Sequence, residues 1–173
     1  MNFNQGDYVV HQNFGVGTVK SIEGMNLTGT EPRLFYRIDF LKSTIWVPVG
    51  HQPERGLRPV TPKKDLDQYR ALLESIPIKL NEDFRKRQIE LEKRLDRGTF
   101  QGLCEIVRDL YALKSAQSLN YYEQTLYNQA WASLVMEWST SSGISPNEAS
   151  REIEGYLQKG HLNPGPFWGN TIP

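Results

Sequence analysis

An aromatic residue among cations begins a helical pattern in residues 81–98, NEDFRKRQIELEKRLDRG. The ring is that of Phe84, and the cations singled out here are Arg85, Lys86, Arg87 and Arg94. Cations bind phosphates, and an apolar ring can wedge between base steps of the minor groove, so the pattern suits a non-covalent contact with DNA. The alternative is a solvated charged face over a core-facing Phe84, because Glu90, Glu92 and Asp96 lie among the cations. Helical spacing places Phe84, Gln88, Leu91 and Leu95 on one side of this helix.

The charge of the whole chain is balanced, with 20 lysines and arginines against 20 aspartates and glutamates. General coating of nucleic acid is therefore excluded, and any DNA contact must be local. Cys104 is the one cysteine, and it lies in an apolar helical pattern. His11, His51 and His161 are far apart in the sequence. These residues provide neither a disulfide framework nor a metal-ligand spacing, so we expect no metal and no cofactor.

Several classes of protein lack their signatures in this chain. No run approaches the roughly twenty apolar residues that span a bilayer, and the first residues do not form a secretion signal. A phosphate-binding glycine loop, a nucleophile elbow and a paired-histidine helix are all missing. Gly15 and Gly17 lie between two strand patterns, which indicates a turn. We expect a soluble, cytoplasmic, non-enzymatic protein without a membrane partner.

Residues 1–60 have the pattern of short strands: DYVVH, TVKSIEG, RLFYRIDF, TIWVPVG and LRPV. Glycine, asparagine and proline separate these runs, and no helical period occurs among them. Four or five bent strands of this length fit a small SH3-like or Tudor-like β-barrel. Pro48 cannot donate a hydrogen bond to a neighbouring strand, so the end of its strand is expected at an edge or a bend.

Alternation along these strands predicts an outward aromatic pair, Phe35 and Trp46. The inward face would consist of Leu34, Tyr36, Ile38, Phe40, Ile45, Val47 and Val49. The pair could form a docking surface, or one of its members could pack under the following loop. A more remote hypothesis is an aromatic cage for a cationic ligand made of Phe35, Tyr36 and Trp46, although alternation places Tyr36 on the opposite face.

Residues 61–173 are mainly helical in pattern, and capping residues mark the helix starts. The predicted caps are Thr61 before Pro62, Asn81, Thr99, Asn120 with Glu123, and Ser145 with Glu148. The sequence therefore predicts an α+β protein: a barrel in residues 1–60, a linking helix and connector in 61–80, a helical domain in 81–158, and an extended tail in 159–173.

Two long stretches resemble the CarD/CdnL family of bacterial RNA-polymerase-binding transcription regulators, whose N-terminal module is shared with the transcription-repair coupling factor. The first is MNFNQGDYVVHQNFGVGTVKSIE, continuing to WVPV. The second is RKRQIELEKRLDRGTFQGLCEIVRDLY, followed by SLNYYEQTLYNQAWASLV. Both stretches occur in the family's order, and together they cover residues 1–140.

The resemblance implies a Tudor-like barrel that docks on the polymerase β subunit. It also implies a helical domain that contacts the minor groove of promoter DNA at the upstream edge of the bubble and stabilises the open complex. The family's wedging tryptophan corresponds, counting back from Gly98, to Phe84, and its cations correspond to Lys86 and Arg87, with Arg85 adjacent. Phenylalanine keeps a stacking face but loses the indole donor, so we expect a weaker wedge.

The resemblance assigns polymerase docking to two short segments, Met25, Asn26, Leu27 and Thr44, Ile45, Trp46. Polymerase-contacting arginines of the family fall here on Met25 and Trp46, so apolar burial would replace a charge-assisted contact. The stretch NYYEQTLYNQAWAS also lacks the cations that relatives carry. Two interpretations stay open: a monomeric regulator that touches polymerase and DNA, and an adaptor that keeps the barrel without DNA binding.

Overall fold

The computed structural model describes residues 2–26 and 33–162. The chain divides into two compact units, Met1–Val60 and Thr61–Pro173. The first contains the strands and the second contains the long helices, so the predicted α+β class is confirmed.

The first unit is a five-stranded antiparallel sheet with the order β4-β3-β2-β1-β5. Its strands are β1 (Tyr8–His11), β2 (Gly15–Met25), β3 (Arg33–Phe40), β4 (Thr44–Pro48) and β5 (Leu57–Pro59). The register shifts between Val19 and Ser21, where a bulge bends β2. Pro48 and Pro59 both lie in edge strands, as the missing proline N–H requires.

The core of this unit lies on one face of the bent sheet. It consists of Phe3, Val9, Val19, Tyr36, Ile38, Val47 and Leu57, with Phe40, Ile45 and Val49 packed against it. The backbone N–H of Phe3 donates to the Tyr36 hydroxyl at 3.2 Å. A side chain at Gly17 would bring its Cβ to 2.6 Å from the Phe40 ring, so only glycine lets that ring cross β2.

Two positions of β3 differ from the predicted burial. Phe35 was expected to point outward into solvent, but it is only 7% exposed. The Trp46 indole N–H donates to Glu23, and because β4 and β2 flank β3, the indole must cross β3 at the level of Phe35. Leu34 was expected inside and is exposed, because Gly24 opposite it has no side chain to cover it.

The second unit contains five helices. They are α1 (Leu66–Glu74), α2 (Phe84–Asp96), α3 (Phe100–Ala116), α4 (Tyr121–Ser142) and α5 (Pro146–Leu162). One apolar core joins all five, and α1 contributes Leu66 and Leu73 to it. A short 3-10 turn, Lys63–Asp65, precedes α1.

Three of the predicted caps are confirmed. The Thr99 hydroxyl accepts from the Gly102 N–H, Asn120 and Glu123 form a capping box, and Ser145 exchanges hydrogen bonds with Glu148. These contacts satisfy backbone N–H groups that have no partner within the helix.

Three predicted boundaries were wrong. Thr61 caps no helix, because its N–H and hydroxyl both donate to buried Glu137. Asp83 rather than Asn81 caps α2. Helix α5 continues to Leu162, so the predicted tail cannot begin at residue 159.

Two features are absent from the described residues. No helix among them is long and apolar enough to cross a membrane. They also contain no group of three or more histidine, cysteine, aspartate or glutamate side chains that could hold a metal ion. Burial raises the pKa of the Cys104 thiol well above its usual value, so this cysteine is a packing residue.

Candidate nucleic-acid and protein interfaces

The first turn of α2 exposes a ring beside two cations. Phe84 is 43% exposed, and Arg85 and Lys86 are exposed as well. The Asp83 carboxylate accepts from the Lys86 N–H at 3.0 Å and fixes the start of the helix. These three residues, Phe84, Arg85 and Lys86, are called the α2 tip below. The alternative, in which Phe84 faces the core, is therefore wrong.

Arg87 was predicted to face DNA, but it is only 8% exposed. Its Nε donates to the Glu123 carboxylate at 2.6 Å. Its Nη1 donates to the backbone carbonyls of Asn81 and Glu82 at 2.6 and 3.2 Å. These bonds hold the guanidinium inside the unit, so the expectation of a phosphate contact is corrected.

Arg94 is the second predicted cation that points inward. Its Nη1 donates to the Asp109 carboxylate at 2.6 Å, and the Asp109 side chain is fully buried. The other Asp109 oxygen accepts from Arg108 Nε at 2.7 Å and from the Ile78 N–H at 3.0 Å. Asp109 thus joins α2, α3 and the connector before α2, and Arg94 is also removed from the candidate DNA interface.

These two buried ion pairs help to position α2, which buries little apolar area. Leu91 is the only fully buried apolar side chain of the helix, and Leu95 is partly buried. Arg87 and Arg94 lie two turns apart on the buried side, because seven residues bring a helix back to the same face. Each pair couples one end of α2 to an acid on another helix. The orientation of the α2 tip therefore depends on buried charges.

Few exposed lysines or arginines of the helical unit lie near the α2 tip. Lys93 is exposed two turns beyond Lys86, and Ile89 between them is 51% exposed. Lys79 donates to Glu82 at 2.8 Å, and this bond lowers the pKa of the Glu82 carboxyl, which is therefore ionised and paired. Helix α4 has no lysine or arginine, and its two acids, Glu123 and Glu137, are buried. Of the cations predicted to contact DNA, Arg85 and Lys86 on α2 are therefore the exposed ones.

The barrel carries the second predicted interface along β4. Trp46 is 46% exposed, and its indole N–H donates to Glu23 at 3.2 Å. The other Glu23 oxygen accepts from the Ser21 hydroxyl at 2.5 Å. The hydrogen bonds from Ser21 and then from Trp46 lower the pKa of the Glu23 carboxyl. The exposed ring is thus held in one orientation.

The remaining docking residues lie in β4 beside Trp46 and at the end of β2. Met25 lies opposite Arg33 and Trp46 lies opposite Arg37, which places both on one face of the sheet. Thr44 is exposed and Ile45 is half-buried in β4, and Asn26 is exposed just after β2. Leu27 lies outside the described residues.

An aromatic cage is not formed. Tyr36 belongs to the core on the opposite face, and its hydroxyl is occupied by the Phe3 N–H. Phe35 lies beneath the Trp46 side chain. Of the three proposed cage residues, only Trp46 presents its ring to solvent.

Sequence reasoning missed the acids that pair with α2. Glu123 was identified as a capping residue, but its second role as the acceptor for Arg87 was not. Asp109 was noted only as part of the stretch that resembles the family, without a role of its own. Their signal in the sequence was weak, since each lies 15 or more residues from its arginine.

A bent barrel with an exposed edge strand and a helical unit with a cationic aromatic tip define a protein suited to binding macromolecules. Residues 3–61 match the CarD-like/TRCF RID domain, which is Tudor-like, and residues 69–154 match the CarD C-terminal domain. The chain belongs to the CarD family of transcription regulators. The predicted family membership is confirmed.

A curated relative supports the same assignment over most of the chain. It is named "Putative transcription factor YdeB" and comes from Bacillus subtilis (strain 168). It is 22% identical over 147 residues, which cover 84% of this chain and 96% of that protein. The match therefore includes both units.

Proposed function

We propose that this CarD-family protein binds the β subunit of RNA polymerase through its barrel and contacts upstream promoter DNA through the α2 tip, stabilising the open complex. The observation that carries the DNA part is the exposure of Phe84 between the helix N-terminus and two exposed cations. Cations attract phosphate, and an exposed ring can stack against an opened base step.

The match to the CarD-like/TRCF RID domain supports polymerase docking, because this family implies an interaction with RNA polymerase. Edge strand β4 offers backbone groups for strand pairing. Trp46 lies in that strand and Met25 lies two strands away on the same face, and both supply apolar area. A Trp side chain held by Glu23 loses little conformational entropy on binding.

The adaptor that does not bind DNA is the second candidate. It is favoured by the burial of Arg87 and Arg94 and by the lack of cations on α4. The two functions differ in the salt dependence of DNA binding, because every phosphate that is neutralised adds about 0.9 to the slope of log affinity against log salt.

The test compares the wild type with Phe84→Ala on a promoter fragment with an opened bubble, bound to polymerase. We expect Phe84→Ala to shorten the lifetime of the open complex about tenfold, since stacking on one base contributes about 1 to 3 kcal/mol. Phe84→Trp should lengthen the lifetime, because the larger indole adds stacking area. The readout is the decay of open complexes after a competitor is added.

Ile89→Ala is the matched control, since Ile89 is another exposed apolar residue on the same helix, outside the tip. It should leave the lifetime unchanged. Two results together would favour the adaptor. The open complex would have the same lifetime with the wild type and with Phe84→Ala, and DNA binding would not depend on salt.

A further inference from the structure

Thr61, the first residue of the second unit, is held by three hydrogen bonds to α4. It is 8% exposed, and its backbone N–H and hydroxyl donate to the same Glu137 oxygen at 3.1 and 2.8 Å. The Ser141 hydroxyl donates to the Thr61 carbonyl oxygen at 2.5 Å. Every polar group of Thr61 is therefore bound to α4. Thr61, Glu137 and Ser141 are called the Thr61 clamp below.

The acid of the clamp is fully buried. Burial of the Glu137 carboxylate costs free energy unless hydrogen bonds replace those that it made to water. Two of these bonds come from a residue 76 positions earlier in the chain, so they attach a distant segment to α4 rather than stabilise the helix itself. Packing alone would be served by an apolar side chain such as Leu134, which is fully buried one turn earlier. The acid therefore fits a role in holding the start of the second unit.

The chain before Thr61 is fixed almost as far as the clamp. Strand β5 pairs with β1, and its last residue, Pro59, lies opposite Val9. Only Val60 separates Pro59 from Thr61. Pro59 has a fixed φ angle, and Pro62 restricts Thr61 to an extended backbone. The connection between the barrel and the second unit is thus one residue with little conformational freedom.

The length of this connection matters for a protein that binds two sites at once. Once a linker can span both sites, the effective concentration of the second site falls roughly as the −3/2 power of linker length. Release of the clamp would free Val60, Thr61 and Pro62, up to the 3-10 turn that begins at Lys63. From one residue to three, this dependence lowers the effective concentration about fivefold.

We propose that the Thr61 clamp keeps the connection at one residue and so raises the effective concentration of the α2 tip at promoter DNA while the barrel is docked on polymerase. This inference rests on the proposed function, because it requires both contacts. It adds Thr61, Glu137 and Ser141 as positioning residues, which act through the length of the chain and contact neither partner.

The experiment measures the affinity of the full chain for RNA polymerase by biolayer interferometry, first for free polymerase and then for an open complex on a promoter fragment. The ratio of the two dissociation constants is called the DNA gain, and it isolates the second contact because barrel docking enters both. The double variant Thr61→Val with Ser141→Ala removes two of the three bonds. We expect its DNA gain to fall about three- to fivefold, with unchanged binding to free polymerase. Phe84→Ala sets the lower limit of the gain.

The double variant Thr140→Val with Ser142→Ala is the matched control. These two hydroxyls donate to the carbonyl oxygens of Met136 and Trp138 within α4, at 2.8 and 2.6 Å. The control therefore removes the same two hydroxyl types from the protein and leaves the clamp intact. Its DNA gain should equal that of the wild type. Urea unfolding verifies that both double variants are folded at the assay temperature.

A second variant changes the length of the connection without touching the clamp. Two glycines inserted between Val60 and Thr61 lengthen it from one residue to three, while the helical core keeps its contacts. We expect the DNA gain to fall about fivefold. The free energy of unfolding of the helical unit should stay the same, so a general loss of structure cannot explain that result.

The outcomes separate this inference from the proposed function. A wild type that shows a DNA gain, together with an insertion variant that retains it, would overturn the clamp and leave the proposed function intact. A wild type without a DNA gain, or without binding to polymerase, would remove the proposed function and the clamp with it. A control variant that loses as much gain as Thr61→Val with Ser141→Ala would reveal damage to α4 and likewise overturn the clamp.

Discussion

The guanidinium of Arg87 is an internal tie of the helical unit, bound to Glu123 and to two backbone carbonyls. We expect Arg87→Gln to lower the free energy of unfolding by about 3 kcal/mol, because it leaves a buried carboxylate without its partner. Its effect on the salt dependence of DNA binding should be nil, since Arg87 does not reach phosphate. Urea unfolding and DNA titrations at several salt concentrations measure the two quantities.

Lys86→Gln is the control for this prediction, because Lys86 is the exposed neighbour. It should change stability by less than about 0.5 kcal/mol and reduce the salt slope by about 0.9. The reverse result, in which Arg87→Gln lowers the salt slope at unchanged stability, would return Arg87 to the DNA interface.

Sequence reasoning worked best for residues whose partners are near in the chain. The capping box of Asn120 and Glu123 was predictable from a three-residue spacing. The burial of Arg87 was not predictable, because its acceptor is 36 residues away and only the tertiary fold, in which α2 and α4 both pack on α3, brings the two together. Helical period also grouped Phe84 with Leu91 and Leu95, although Phe84 stands at the helix end, where the core no longer covers it.

At the scale of elements, α2 and α3 approach so closely that their contact requires a glycine. A Cβ on Gly102 would lie 2.6 Å from the Arg94 carbonyl oxygen, so Gly102→Ala should force the helices apart. We expect a loss of about 1 to 3 kcal/mol in the free energy of unfolding. The same urea titration measures it.

Gly155→Ala is the matched control, because a Cβ at this position in α5 meets nothing within 4 Å. Alanine favours helix over glycine by up to about 1 kcal/mol, so this variant should be slightly more stable. If both alanine variants gained stability, the close approach of α2 and α3 would be refuted.

Local sequence patterns predicted the order and type of the helices and strands. They did not predict several helix ends or the burial of one face of β3. Phe35 points outward as alternation predicted but is buried, because a side chain from β4 reaches across β3. The start of α1 was misplaced because Thr61, which has a typical capping residue type, is bound by Glu137 in α4. In both cases a tertiary hydrogen bond overrides a local preference.

At the scale of the whole molecule, balanced charge and a small cationic tip predict weak binding to DNA alone. At about 0.15 M salt we expect a dissociation constant weaker than about 10 μM for a promoter fragment, within the range of nonspecific binders. Docking on polymerase would make the DNA contact intramolecular, with an effective concentration of roughly millimolar. Fluorescence anisotropy with labelled promoter, with and without polymerase, tests this. Submicromolar binding to free DNA would contradict it.

The burial of the Arg87–Glu123 pair has a consequence for how such a regulator can diverge. Substitutions at these two buried positions can change the orientation of the Phe84 ring while every exposed residue stays the same. Promoter response could thus drift through hidden positions, and two homologues with identical exposed surfaces need not regulate alike.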